Sequence, residues 1–427
     1  MPLTLCLLSL LFAAPPDAIP GAADWPQFRG PARDGVSAER GLLTSWPTEG
    51  PKKLWTATGL GGGYSTVSVV GGVIYGTGLK SDGQEHLFAR AASDGHELWS
   101  TPIAERQKVG YGEGPRSTPT FDAGLVYAVS MGGTLACLSA ADGKLVWSKN
   151  YVKDFGGSVQ SWGYSESVLV DDGRVICTPC SKTAAMVALD AKTGATVWTA
   201  TVKDAGGAGG YASAVKATVG KVPMYINLLG KSGGVVAVHA KTGKVLWQYN
   251  RIMNGTANIP SVLVKGDLVF ASTGYGDGGA ALLKMSAEGD GVSVKEVKYY
   301  KSGELQNHHG GMVAVGGTIY FGHGHNQGYP AAVDFATGDI LWKESKPTAG
   351  GQGSAAAVAA DGMVVLRYQN GVVAMFKANP KEFEAVSSFK IPDQSKQPSW
   401  PHPAIANGKL YLRDQDKLHC FELKAGN

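Results

Sequence analysis

Apolar residues along this chain fall in short runs, each bounded by a glycine-bearing turn. Val73-Ile-Tyr75 follows Gly71-Gly72, and Thr318-Ile-Tyr320 follows Gly316-Gly317; Leu125-Val-Tyr127 has the same composition. A further run comes next in each case, such as Leu135-Ala-Cys-Leu138 or Val235-Val-Ala-Val238. Runs this short, rich in β-branched and aromatic residues and separated by glycine, predict strands joined by tight hairpins.

The pattern repeats. Asp190-Ala-Lys-Thr-Gly194-Ala-Thr-Val-Trp198 recurs as His239-Ala-Lys-Thr-Gly243-Lys-Val-Leu-Trp247 and as Asp334-Phe-Ala-Thr-Gly338-Asp-Ile-Leu-Trp342. Shorter copies end at Trp99 and Trp147. The steps from Trp99 through Trp147 and Trp198 to Trp247 are 48, 51 and 49 residues, and the next, to Trp342, is 95, which is two steps with one degenerate copy between. A period near 50 residues holding four short strands is a propeller blade.

First strands are predicted to begin near Thr66, Thr118, Ser165, Ala212, Pro260, Gly311, Ala355 and Pro403, which makes eight blades. The eighth copy stops after its third strand, at 418–423, whereas Lys53-Leu-Trp55 is a fourth strand with no blade of its own. Joining the two ends in one sheet closes the ring and removes two open edges. The expected fold is all-β, a single eight-bladed β-propeller over 53–427. An extended leader at 24–52 and a signal peptide at 1–23 precede it.

Composition agrees with that reading. With 60 glycines, 21 prolines and 44% hydrophobic residues in 427, the chain can bury a large core and has the residues for many turns. A formal charge of +4 with no basic run gives no footprint for nucleic acid. Residues 3–14 are apolar but too few to span a bilayer, and Gly21-Ala22-Ala23 offers a small-residue cleavage site, so export to the periplasm or beyond is expected. Beyond Ala23 no stretch is long and apolar enough to form an integral membrane segment, and a monomer is expected. Cys137, Cys177, Cys180 and Cys420 follow the leader. The Cys177-Thr-Pro-Cys180 spacing fits a disulfide, a redox pair, half a metal site or simply buried thiols.

The Ala-Leu-Asp-x-x-Thr-Gly-x-x-x-Trp string at 188–198 resembles the tryptophan-docking repeat of the PQQ-like (quinoprotein-type) β-propeller superfamily, and the likeness runs from about residue 54 to 423. Trp25-Pro-Gln-Phe-Arg-Gly30-Pro-x-Arg-Asp-Gly35 resembles the leader of exported bacterial propellers of this kind. The superfamily holds quinoprotein alcohol dehydrogenases and also non-catalytic, BamB-like proteins, so the motif identifies fold strongly and function weakly. It implies that Trp55, Trp99, Trp147, Trp198, Trp247 and Trp342 are structural, docked between blades.

Residues just before each first strand should ring the funnel mouth. They are Tyr64, Arg116, Trp162, Tyr164, Tyr211, Asn258, His308, His309, Gln352, Trp400 and His402, set among glycine-rich loops such as 61–63 and 206–210. Concave, aromatic mouths with a few polar groups are the default binding site. Hairpin pairing places His308 opposite His325 and Gly310 opposite His323, so His308, His309, His323 and His325 form a candidate Zn²⁺ or Cu²⁺ cluster. A quinoprotein would need PQQ, Ca²⁺ with oxygen ligands and a carboxylate base. Glu113, Glu166, Glu304 and Asn258 are the nearest candidates, and the adjacent Cys-Cys pair that the resemblance would imply is absent. No GxSxG, HExxH or P-loop string occurs. The favoured expectation is therefore an exported, non-catalytic scaffold with no cofactor, binding a protein, peptide or glycan partner at the funnel face. The alternative is a PQQ-dependent dehydrogenase or its degenerate descendant.

Overall fold

The computed structural model describes residues 20–205, 210–230 and 233–425. The expected signal peptide falls almost wholly outside the described residues, as do 206–209 of one predicted funnel loop. Eight antiparallel sheets follow one another along the chain, each a meander whose first strand is innermost. The first blade shows the plan, with strands Ser68–Val70, Val73–Leu79, Gln84–Ala91 and Glu97–Glu105. The innermost strands of successive blades pack against each other around the ring axis. Among the described residues no helix is long and apolar enough to cross a membrane.

The ring closes as the orphan strand predicted. Lys53–Ala57 pairs antiparallel with Lys417–Glu422, so the last blade takes three strands from the C-terminus and its outermost strand from near the N-terminus.

Each docking tryptophan faces a small residue on the neighbouring strand. Trp99, Trp198, Trp247 and Trp342 lie opposite Ala89, Ala188, Ala237 and Ala332, while Trp147 and Trp55 lie opposite Cys137 and Cys420. Those two cysteines thus occupy the alanine position of the repeat. A register irregularity marks the same place in each of these pairings, turning the indole toward the next blade. There the ring covers the glycine of that blade's turn: a Cβ on Gly194 would stand 2.8 Å from the Trp147 ring, and one on Gly243 2.6 Å from that of Trp198. The indole N–H of Trp147 donates to the Ala191 carbonyl at 2.9 Å and that of Trp198 to the Ala240 carbonyl at 3.1 Å. The glycine therefore serves twice. It takes a positive φ (71° at both Gly194 and Gly243), and its bare Cα makes room for the indole.

Departures from the motif are compensated locally. In the degenerate fifth copy Lys298 stands at the tryptophan's register position, opposite Leu282, and Tyr300, two residues on, donates its hydroxyl to the Gly338 carbonyl of the next blade. In the seventh blade Ser387 stands at that position, opposite Met375, and the apolar ring is Phe389, two residues on. There the leader's Gly50 (φ 91°) lies against the ring, as a turn glycine does elsewhere.

The leader is more than the extended prelude expected at 24–52. Trp25 exchanges backbone hydrogen bonds with Val69, and the Pro26 carbonyl accepts from Phe121 N–H at 2.8 Å. Arg33 donates to the carbonyls of Ser167 and Val168, and Arg29 to that of Met312. Val36–Ser37 then pairs parallel with Ala355–Ala360, becoming a fifth strand on the inside of the seventh blade. The leader thus crosses the ring centre, fastened to the innermost strands of several blades.

Candidate functional site

On the funnel face lies a cavity of about 560 Å³. Phe28 and Arg29 of the leader contribute to its wall, so the axial channel is filled from one side and the cavity has a floor. Of the predicted mouth residues, Tyr64, Arg116, Trp162, Tyr211, His308, His309, Trp400 and His402 line it together. Three do not. Tyr164 is a core residue, its ring against Tyr151 (5.0 Å between centroids) and its hydroxyl on the Pro179 carbonyl. Asn258 is buried, its amide spent on the neighbouring Asn254. Gln352 is exposed, away from the cavity wall.

The aromatic wall holds two groups of contacting rings. Trp400 meets Tyr64 at 5.1 Å, Tyr111 at 5.6 Å and His309 at 4.7 Å, and Trp162 meets Tyr211 at 5.8 Å. Arg116 bridges the two groups: its guanidinium stands 4.8 Å above Tyr64, and it donates to the carbonyls of Trp162 (2.9 Å) and Tyr111 (2.8 Å).

Sequence reading missed Phe28, Arg29, Tyr111 and Tyr275, together with a belt of hydroxyls. Thr118 N–H donates to Ser167 Oγ, Ser167 N–H to Ser213 Oγ and Ser213 N–H to Ser261 Oγ, at 2.9, 2.9 and 3.1 Å. Each bond ties a blade to its neighbour, and all four residues line the cavity. A signal was present: a Ser or Thr recurs a few residues before the innermost strand in blade after blade.

The histidine cluster forms only in part. His308 stacks on His309 (3.7 Å, 23° between planes) and meets His325 at 4.2 Å, with Tyr275 edge-on to His308. His323 lies apart, its Nδ1 accepting from Gln306 N–H. Imidazole lone pairs lie in the ring plane, so stacked rings do not converge on one point. Among the described residues no group of three or more His, Cys, Asp or Glu is arranged to hold a metal ion. Burial pushes His308 and His402 down to about 3 and His309 well below its ordinary value, with neighbouring cations adding to the effect on His309 and His402. All three are neutral at neutral pH. Cys177 and Cys180 are free, buried thiols, and burial pushes Cys180 up to about 12 and Cys177 well above its ordinary value.

Among the described residues no carboxylate lines the cavity. Glu113 pairs with Arg106 at the surface and Glu304 is exposed. Glu166 is buried behind the wall, accepting from Tyr151 (2.6 Å) and from Thr178 N–H (2.7 Å).

Comparison with solved structures agrees with the eight-bladed ring. BamB from Moraxella catarrhalis superposes with a TM-score of 0.62 at 14% identity, covering 87% of this chain and 99% of that one. A quinohemoprotein alcohol dehydrogenase from Pseudomonas putida HK5 gives 0.61 at 15%, covering 95% and 81%. These likenesses are of fold. In sequence, tetrathionate hydrolase of Acidithiobacillus ferrooxidans is 29% identical over 261 residues, or 56% of this chain, which spans about half (46%) of that relative's length. The family model described as outer membrane protein assembly factor BamB (PQQ_2) matches residues 89–344, more than half of the sequence, and the chain is a member of that PQQ-like propeller family.

Proposed function

We propose that this chain is an exported, non-catalytic binding protein that receives part of a partner (protein, peptide or glycan) in its funnel cavity. The observation that supports this most is the cavity wall. It joins aromatic rings, hydroxyls and two arginines, Arg116 from the ring and Arg29 from the leader, with no carboxylate among the described lining residues. Rigid aromatic and arginine side chains need little ordering on binding and dominate interface energetics. The same wall argues against a Ca²⁺-assisted quinone. Ca²⁺ takes six or more oxygen ligands, with carboxylates prominent among them, and here the lining supplies only hydroxyls and the amides of Asn326 and Gln369. Glu166, one of the three candidate carboxylates by sequence, is committed to Tyr151 and Thr178. The donor set therefore does not fit PQQ with Ca²⁺. Affinity capture with the full chain and with a Trp162→Ala/Trp400→Ala variant is the test. A partner retained by the first and lost by the second, at equal thermal stability, is expected. Stoichiometric uptake of PQQ with Ca²⁺ and alcohol-dependent dye reduction would overturn the proposal.

A further inference from the structure

The charges around the cavity are one-sided. Its charged lining residues are Arg29 and Arg116; Arg33, Arg367 and Arg413 are buried outside the lining, with Glu166 acting on Arg33, Asp414 on Arg367, and Asp416 and Asp414 on Arg413. Among the described residues none of these five has a carboxylate within ion-pair distance; carbonyls and hydroxyls hold them instead. Two carboxylates act on the cavity arginines from a distance. Asp34 influences Arg29 while its own oxygen accepts from Val36 N–H at 3.0 Å. Glu85 influences Arg116 from a buried position, bonded to Met131 N–H, where burial raises it to about 7 and so keeps much of it protonated at neutrality.

Arg29 is the sharpest feature. It is 2% exposed and lines the cavity, and burial pulls it down to about 10. Its Nε and Nη2 donate to the carbonyls of Arg33, Asp34 and Met312, while its Nη1 has no partner. Gly311 (φ 64°) lets that end in, since a Cβ there would collide with Nη1 and would stand 2.8 Å from His402 Cε1. That nitrogen is packed against Gly311 and sealed from the cavity, so Arg29 acts on an occupant through its charge, at the cost of an unmet donor. Around it stand the rings of Phe28, Tyr64, Trp162, Tyr211 and Trp400, a wall suited to an apolar body.

We infer that the cavity is a receptor for an organic oxyanion, a carboxylate or sulfonate on an apolar or aromatic body, with Arg29 and Arg116 supplying the countercharge. The inference rests on the proposed role of the cavity as a binding site and names the chemistry it takes. The body lies between the aromatic rings.

The test uses the full chain and two probes alike but for charge, 2-naphthoate and 2-naphthamide, titrated by quenching of the cavity tryptophans and by calorimetry. One-to-one binding of naphthoate, about tenfold or more tighter than naphthamide, is expected. Arg116→Gln should bring that ratio toward one. Arg29→Gln should do so as well, but it also removes bonds that hold the leader, so Arg116 carries the test if the Arg29 variant does not fold. An acetylated dipeptide ending in a free phenylalanine carboxylate, set against its amide, separates the sources. Peptide acid bound more tightly than naphthoate points to a partner's terminus, and the reverse order to a free small acid. Equal affinity for acid and amide, with both lost in Trp400→Ala, would overturn the oxyanion while leaving the cavity a binding site. Failure of every acid to bind, with partner capture intact, would overturn it too. Oxyanion binding without any captured partner would leave the inference standing and remove the partner.

Discussion

A single glycine in this fold answers two demands, and they can be separated. Gly243 has φ 71° and lies beneath the Trp198 indole, whereas Gly266, in a first hairpin turn, has φ 60° with nothing within 4 Å of a Cβ. Alanine at Gly266 should cost about 1–2 kcal/mol for the left-handed backbone alone. Alanine at Gly243 adds displacement of a packed indole, about another 1–3 kcal/mol. Denaturant unfolding of the two variants compares them, and equal losses would mean that the glycine–tryptophan contact is irrelevant. At this scale the sequence was readable wherever a residue repeats. The docking tryptophans, the turn glycines and eight of the mouth residues were found by position in the blade. Tyr164, Asn258 and Gln352 were misplaced by the same reasoning, because a loop's length and not its neighbours decides which side chain reaches the axis. Tyr164 turns back onto Tyr151, and Asn258 onto Asn254.

Elements that lie outside the repeat were the least legible. The strand Lys53–Ala57 announced itself, since its Trp55 carries the pattern of a fourth strand and the eighth copy lacked one. The leader before it carries no repeat, and no pattern in it marks Arg29 and Arg33 as buried. In the structure Arg29 and Arg33 are buried and bonded to carbonyls of the sixth and third blades. Periodicity cannot reveal a segment that crosses the ring once. The two pieces make different predictions. Removing residues through 57 exposes an unpaired edge on Lys417–Glu422, so loss of cooperative unfolding and concentration-dependent aggregation are expected. Removing residues only through 35 keeps that pairing. The ring should then stay monomeric in light scattering, melt at a lower temperature and lose the floor of the cavity. Identical behaviour of the two truncations would show that strand closure contributes nothing.

The whole molecule gathers polar groups toward its axis and leaves the apolar core between the blades. Two guanidiniums and three neutral histidines line the central cavity, and the histidines set how the fold responds to acid. His308 and His402 titrate near 3 when folded and His309 well below its ordinary 6.5, so between those limits the unfolded chain binds more protons than the folded one. Their contribution is fully present above about pH 6.5 and is lost as pH falls toward 3. Each histidine costs up to about 1.4 kcal/mol per pH unit across that window. Glu85 has the opposite sign. Raised from 4.5 to about 7, it contributes stability below pH 4.5 that fades as pH rises through 7, and so offsets one histidine over part of the range. His323 and His419, pushed down to about 4, and the lowered His325 add to the three, and these six histidines outnumber the five raised carboxylates (Asp34, Glu39, Glu85, Asp122 and Glu166), which leaves a net loss on acidification. Unfolding free energy should therefore fall steadily from pH 6.5 to pH 4, and His402→Gln, which can still donate to the His309 carbonyl, should show a shallower fall. Parallel curves for the two proteins would mean that His402 is not held neutral by its burial among the arginines.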